Sequence, residues 1–378
     1  MVNEKRLLDE FFELIKIDSE TGFERKIADT LIKKLKEIGV DDVYEDDVGP
    51  KIGHEAGNVF AYLKGNVPGV ETILLNSHMD TVTPGINIKA SIKDGWIVSD
   101  ESTILGSDDK SGVSAILEAL RVIKEKNLPH GDIQIIFTTG EERGLMGART
   151  LDPKALKATL GFAFDTGGPV GGLKIEAPGL TKMNIEIKGS PVHAGNVPEK
   201  GVSAVAIGAK AIANMPHGRI DHETTSNVGS FIAESPTNIV TEKAVITAEA
   251  RSLDMNKLRA QLDAMKKAFE DAAKELGGTV TIEEKPDCVA VKLSDKDKVV
   301  QVGQRAAAKV GRPCKLFSGG GASDANFFHG YGVPTVVLSC GFENAHAKNE
   351  MIPVSELPKL AEMALAIVEE VVALGQKA

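Results

Sequence analysis

Apolar and polar positions follow two rhythms along this chain. The N-terminal stretch "MVNEKRLLDEFFELIKI" is charged and then amphipathic. Residues 21–38, "TGFERKIADTLIKKLKEI", predict a helix: Thr21 and Glu24 have capping-box spacing, Phe23, Ile27, Leu31 and Leu35 form a stripe, and Gly39 is a C-terminal stop. Unbroken apolar runs follow at 72–80, 132–140 and 160–168, with a helical pattern at 111–126. Runs without polar alternation suit strands buried on both faces, so the pattern predicts an α/β sheet with helices on both sides. In such sheets ligands gather at the carboxyl ends of the strands.

The middle third changes period. Strand patterns at 182–190, 226–234, 244–252 and 279–285 enclose helical patterns at 202–215 and 256–276. The order βαββαβ is that of a ferredoxin-like module. Helices and strands resume at Asp297 and end in "VSELPKLAEMALAIVEEVVALG". The expected organisation is a larger α/β domain from residues 1–179 and 291–378, with a small domain, 180–290, inserted into it.

Composition narrows the function classes. The 378 residues carry a formal charge of −10, which argues against nucleic acid or an anionic membrane as partner. Cys288, Cys314 and Cys340 are far apart and in no paired motif, as in a reduced, cytosolic protein. The N-terminus has neither the apolar core of a signal peptide nor a membrane span, so a soluble cytoplasmic protein is expected.

The chemistry sits where the apolar runs stop. "NSHMDTV" brings His78 and Asp80 to one strand face, an arrangement that can supply a metal ligand and its hydrogen-bonded partner, although a surface hydrogen bond is the ordinary explanation. "LGSDDKSG" places Asp108 and Asp109 in a glycine-flanked turn before a helix, where either alone would read as an N-cap. Glu141 and Glu142 adjoin at the end of "IIFTTG", Asp165 ends "FAFDTGG", and His346 follows "PTVVLSC". Five apolar runs thus end in residue types that zinc accepts, and adjacent carboxylates in tight turns repel unless a cation is present. The set is too large for one tetrahedral ion with an open position and suits two ions sharing a carboxylate.

These motifs, in this order over essentially the whole chain, resemble the dinuclear zinc peptidase family that includes peptidase T, aminoacylase, glutamate carboxypeptidase and succinyl-diaminopimelate desuccinylase. The general texture is most similar to the peptidase T-like tripeptide aminopeptidases. The resemblance implies a zinc-peptidase-type mixed sheet with an inserted ferredoxin-like lid and dimerisation domain, in a homodimer. It implies two Zn²⁺ per chain, with Co²⁺ or Mn²⁺ as substitutes: His78 and Asp165 on one, Glu142 and His346 on the other, and Asp108 between them. Asp80 would orient His78, Glu141 would act as general base, and the Asp108–Asp109 peptide bond would be cis. His193, in "GSPVHAGNVPEKG", would stabilise the oxyanion, reaching the partner subunit's site.

The resemblance also implies substrate contacts from Asn227, Gly320 and Gly321, and Arg251 is a further candidate because a guanidinium can hold a carboxylate on two bonds. From sequence alone Arg251 reads equally as a solvated strand charge, and Asn227 as a residue of a strand-entry turn. The glycine-rich "SGGGASDANFF" lacks the lysine of a phosphate loop, and Asp324 and Asn326 are expected to fix it. The activity implied is release of N-terminal residues from short peptides. A deacylase or carboxypeptidase would use the same ligands, and a catalytically silent peptide-binding protein is the non-enzymatic alternative.

Overall fold

The apolar runs of the first third pair edge to edge. The structure, a computed structural model, describes residues 2–375. It divides into two units, one of Met1–Glu176, Leu293–Gly319 and Ser323–Ala378, the other of Ala177–Lys292 with Gly320–Ala322.

In the first unit the strands run in the order Asp42–Glu45, Val59–Leu63, Ile133–Thr138, Ile73–His78, Leu160–Thr166, Thr335–Ser339, Gly172–Ala177, with Lys315–Ser318 beside the last. The sheet is mixed. Ile73–His78 is parallel to both its neighbours, whereas Thr335–Ser339 is parallel to Leu160–Thr166 and antiparallel to Gly172–Ala177. Helices cover both faces. Phe164 meets the helix Ser107–Lys126 at Gly112, and its neighbour Ala163 packs on Ala325 of the helix Asp324–Gly330. Because successive strand residues point oppositely, those two contacts lie on opposite faces. Every residue of Ile73–His78 and Ile133–Thr138 is buried, which is why these runs show no polar alternation.

The second unit carries its own core. Its sheet runs Gly218–Arg219, Thr224–Ile232, Lys243–Ser252, Gly179–Lys188, Thr279–Cys288, all antiparallel. Alternate residues of Lys243–Ser252, among them Ala244, Ile246 and Ala250, are buried with Leu262 and Phe269 of the helix Met255–Leu276. That helix starts on Asp254, whose carboxylate accepts from the backbone N–H of Asn256 and Lys257, and stops on Gly277 in the left-handed region. With the helix Ala204–Asn214, the order is βαββαβ plus one short extra strand.

The helix expected over 21–38 is shorter. It covers Arg25–Ile38, its entry has no side-chain cap, and Phe23 is 63% exposed. Thr21 does not cap; its hydroxyl donates to Asp80. Conversely, the helix expected from 111 begins at Ser107 and is kinked at Asp108 and Asp109. The Asp108–Asp109 peptide bond is cis. No helix among the described residues is long and apolar enough to cross a membrane.

Candidate metal centre

Strand ends place the cluster. His78 is the last residue of Ile73–His78, Asp165 lies at the end of Leu160–Thr166, and Glu141 and Glu142 follow Ile133–Thr138 by a turn through Gly140. These three strands are neighbours, so their carboxyl ends open at one edge. Asp108 comes from the kinked helix start, and His346 from the loop after Thr335–Ser339, with its backbone in the left-handed region.

His78 Nε2 lies 3.2 Å from Asp108 Oδ1 and 3.7 Å from Asp165 Oδ1. On the other side, His346 Nε2 lies 2.9 Å from Glu142 Oε2 and 3.4 Å from Asp108 Oδ2. The two oxygens of Asp108 therefore face different histidines. Donor atoms of His78, Asp108 and Asp165 lie within 4.8 Å of one another, as do those of Asp108, Glu142 and His346. A third such group joins His78, Glu141 and Glu142.

Asp80 is fully buried and ties the strand ends together. Its Oδ1 accepts the backbone N–H of Glu141 at 3.0 Å and lies 3.4 Å from His78 Nδ1. Its Oδ2 accepts from Thr21 Oγ1 at 2.7 Å and from the Glu142 N–H at 3.3 Å. Despite burial, the contacts with His78 hold this carboxyl below its ordinary range.

The remaining carboxyls crowd one another. Burial first, then Asp165, pushes Glu141 well above the carboxylate range. Burial, reinforced by Asp108, raises Asp165 to about 7. Asp324, buried and accepting from Thr138 Oγ1, is likewise raised to about 7. Burial opposes ionisation of Asp108, but its hydrogen bonds with His346 and His78 outweigh that and lower it. His346 is raised to about 10 by Asp108 and Glu142.

Buried Glu142 Oε1 has no hydrogen-bond partner among the described residues. An orphaned carboxylate oxygen among repelling acids and two histidines is what divalent cations would satisfy, and the oxygen and imidazole donors are those zinc, cobalt and manganese accept. The residues fit two such ions.

Two supporting residues, Glu350 and Lys110, escaped the sequence reading, and a third, Glu24, was read there only as a helix cap. Glu350 is buried, and its Oε2 accepts the N–H of Leu105 and of Gly106, each at 2.8 Å. Its Oε1 takes Ser107 Oγ at 2.6 Å and the Asp108 N–H at 2.9 Å, so it holds the turn that presents Asp108. Lys110 is fully buried, donates to Ser19 Oγ at 2.7 Å, and is lowered by burial to about 8. Glu24 is buried, with Oε1 3.3 Å from His54 Nδ1. All three stand among polar and charged neighbours in the sequence, so nothing local marks them as buried. Asn326, expected to fix its loop, does so by accepting the Ser323 N–H.

The other predicted residues belong to the second unit. His193 is exposed, and its Nδ1 accepts the Gly195 N–H. Asn227 lines a shallow hollow on the sheet with Asn184 and Thr247. Arg251 donates from Nε to Glu249 at 2.7 Å and from Nη1 to the carbonyl of Gly320 at 3.3 Å. Gly320 and Gly321 are exposed, with open space where a side chain would stand.

A mixed sheet with histidine and carboxylate donors at its strand ends defines a class, and comparison with known proteins agrees: the chain belongs to peptidase family M20/M25/M40, whose model matches residues 74–370. It is a peptide hydrolase of a metal-dependent family. Particular relatives are similar over nearly their whole length. The crystal structure of aminopeptidase PepT from Bacillus cereus ATCC 10987 is 52% identical, with TM-score 0.93, covering 98% of this chain and 99% of that one. A tripeptidase from Staphylococcus aureus Mu50 is 41% identical with TM-score 0.93, covering 99% and 100%. The uncharacterized protein YqjE of Bacillus subtilis is 49% identical over 370 residues, 98% of this chain and 99% of that protein.

Proposed function

We propose that this peptidase is a dinuclear metallo-aminopeptidase that releases the N-terminal residue of short peptides, tripeptides foremost. The observation that carries the reading is Asp108, whose two oxygens face His78 and His346. His78 and Asp165 would hold one zinc and Glu142 and His346 the other, with Asp108 shared; cobalt or manganese suits the same donors. When bound, divalent ions supply Lewis acidity and lower the pKa of water at the site.

The chain's own contribution is proton transfer and placement. Glu141, held by its backbone N–H to Asp80, takes the proton of the attacking water on a carboxylate oxygen and returns it to the departing amine. Asp80 orients His78 and also fixes the Glu141–Glu142 backbone. The names of the B. cereus and S. aureus relatives support the aminopeptidase and tripeptide assignments.

In this proposal residues 180–290 form a lid and dimerisation domain of a cytoplasmic homodimer. Exposed His193 serves as oxyanion donor at the partner's site, while Arg251, Asn227, Gly320 and Gly321 contact substrate, the guanidinium taking the far carboxylate. Mixing His193→Ala with Glu141→Gln protein then restores activity in heterodimers; no recovery after demonstrated subunit exchange counts against the shared site.

The main test is hydrolysis of one tripeptide by zinc-loaded protein in free, N-acetylated and C-amidated forms, with products identified by mass. Loss of the N-terminal residue, abolished by acetylation, is expected. Release of the C-terminal residue, abolished by amidation, would make it a carboxypeptidase, and release of acetate alone a deacylase.

A further inference from the structure

The turn that carries Glu141 and Glu142 is gripped at several points. Asn58 Oδ1 accepts the Thr139 N–H at 3.1 Å, and Asn58 Nδ2 donates to the Gly147 carbonyl at 3.1 Å. Asp80 takes the N–H groups of both glutamates. Between these anchors stands Gly140, buried and in the left-handed region at φ +65°. A Cβ added there would lie 2.5 Å from His54 Cε1, 3.0 Å from His54 Nδ1 and 3.3 Å from Met146 Cβ. The imidazole edge therefore rests against the Gly140 backbone and fills the space that a side chain would need.

The ring is itself fixed from its other side. His54 Nδ1 lies 3.3 Å from Glu24 Oε1 and 3.5 Å from Thr139 Oγ1. Glu24 Oε1 also accepts the Gly22 N–H at 2.9 Å, and the Glu55 N–H donates to the Gly22 carbonyl at 3.1 Å, so the segments that carry Glu24 and His54 are joined through their main chains as well. Glu24 is fully buried, and only 12% of the His54 side chain is exposed. Three residues before Glu24, Thr21 donates to Asp80. Residues 21–24 thus brace the glutamate turn twice, through the bond from Thr21 to Asp80 and through the ring held by Glu24.

We infer that His54, held by Glu24, is a positioning residue for Glu141 and Glu142: its ring sets the backbone at Gly140 and so fixes where the proposed base and the adjoining proposed ligand stand. The inference rests on the aminopeptidase reading for the roles of those two glutamates. Gly140 immediately precedes Glu141, so rotation about its φ and ψ swings both carboxylates, and glycine is the residue with most freedom to rotate. The bonds to Asp80 restrain the two N–H groups, and the ring blocks the excursion that glycine would otherwise allow. A displacement of about 1 Å at a reacting group costs up to ~10²-fold in rate, even when its cause lies outside the chemistry.

The test is a double-mutant cycle on zinc-loaded protein with Leu-Gly-Gly, reading kcat, KM and, independently of turnover, zinc affinity by chelator competition. His54→Asn keeps an amide beside Glu24 but removes the ring edge under Gly140. It is expected to lower kcat roughly 10-fold or more with little change in KM, and to weaken zinc binding severalfold while circular dichroism is unchanged. Gly140→Ala should cost at least about 10-fold more in the wild-type background than in His54→Asn, where the colliding ring edge is gone. Glu24→Gln, which keeps an oxygen acceptor, should lose less than Glu24→Ala. Unchanged kcat and zinc affinity in His54→Asn, or an equal penalty of Gly140→Ala in both backgrounds, overturns the inference. If wild-type protein releases the N-terminal residue and the cycle shows no coupling, the positioning role alone fails. If it releases none while zinc affinity shows the coupling, the positioning role stands and the aminopeptidase reading fails.

Discussion

Asp80 receives the backbone N–H of Glu141 on the same carboxylate oxygen that lies 3.4 Å from His78 Nδ1. One buried acid therefore sets both the orientation of a candidate metal ligand and the position of the candidate base. Asp80→Ala removes the acceptor for two backbone N–H groups and the Thr21 hydroxyl. Each buried donor left unmet costs ~1–3 kcal/mol, and metal affinity should fall by about 10-fold, the lower end for loss of an orienting partner, because His78 Nδ1 keeps the Asp80 backbone carbonyl at 3.0 Å. Chelator competition and thermal unfolding should show both losses together.

Glu141→Gln separates proton transfer from metal binding. The amide keeps the shape and the backbone bond to Asp80 but cannot accept a proton from water. Two metals per chain, by elemental analysis, and a kcat lower by ~10²–10⁴-fold are expected. A variant that loses metal would show that Glu141 is a ligand and Glu142 the base.

Glu350→Ala should be among the most damaging changes at a residue that is not itself a proposed ligand. Leu105, Gly106 and Asp108 lose the acceptor of their N–H groups, and Ser107 loses its partner. The expected destabilisation is on the order of 3 kcal/mol or more by urea unfolding. Glu350→Gln retains one oxygen acceptor and should lose less.

Metal-free protein should become less stable as pH rises. Glu24 is raised by burial from 4.5 to about 7, so the folded state holds its proton more tightly than the unfolded chain. That contribution is complete below about 4.5 and disappears as pH climbs through about 7. Its size is on the order of 3 kcal/mol. Chelated wild-type protein is expected to lose stability between pH 5 and 8, and Glu24→Gln to flatten the slope. An unchanged slope would assign the effect to the ligand carboxylates.

The sheet was legible because its strands are buried on both faces: Ile73–His78 and Ile133–Thr138 are apolar runs with no competing period. The candidate ligands were legible because histidine and acids stand where those runs stop. Thr21 was not. Its spacing to Glu24 satisfies a capping box, and only the fold reveals that Asp80, 59 positions away, takes its hydroxyl. Glu350 was hidden for the same reason, since its partners at Leu105–Asp108 are more than 240 residues distant. The register of Thr335–Ser339 against Leu160–Thr166 and Gly172–Ala177 was not legible either, because no single segment encodes the pairing of three strands.

That register also dictates when the molecule can be completed during synthesis. The strand Thr335–Ser339 occupies the slot between Leu160–Thr166 and Gly172–Ala177. Until residues 335–339 have left the ribosome, the main sheet has a gap between those two strands. His346 and Glu350 arrive just behind that strand. A nascent chain carries His78, Asp108, Glu141, Glu142 and Asp165 long before it has the strand that closes the sheet, while the second unit, continuous apart from Gly320–Ala322, can form on its own schedule. Acquisition of the full donor set is thus tied to insertion of the final strand, so a truncated product cannot assemble the complete pair of sites.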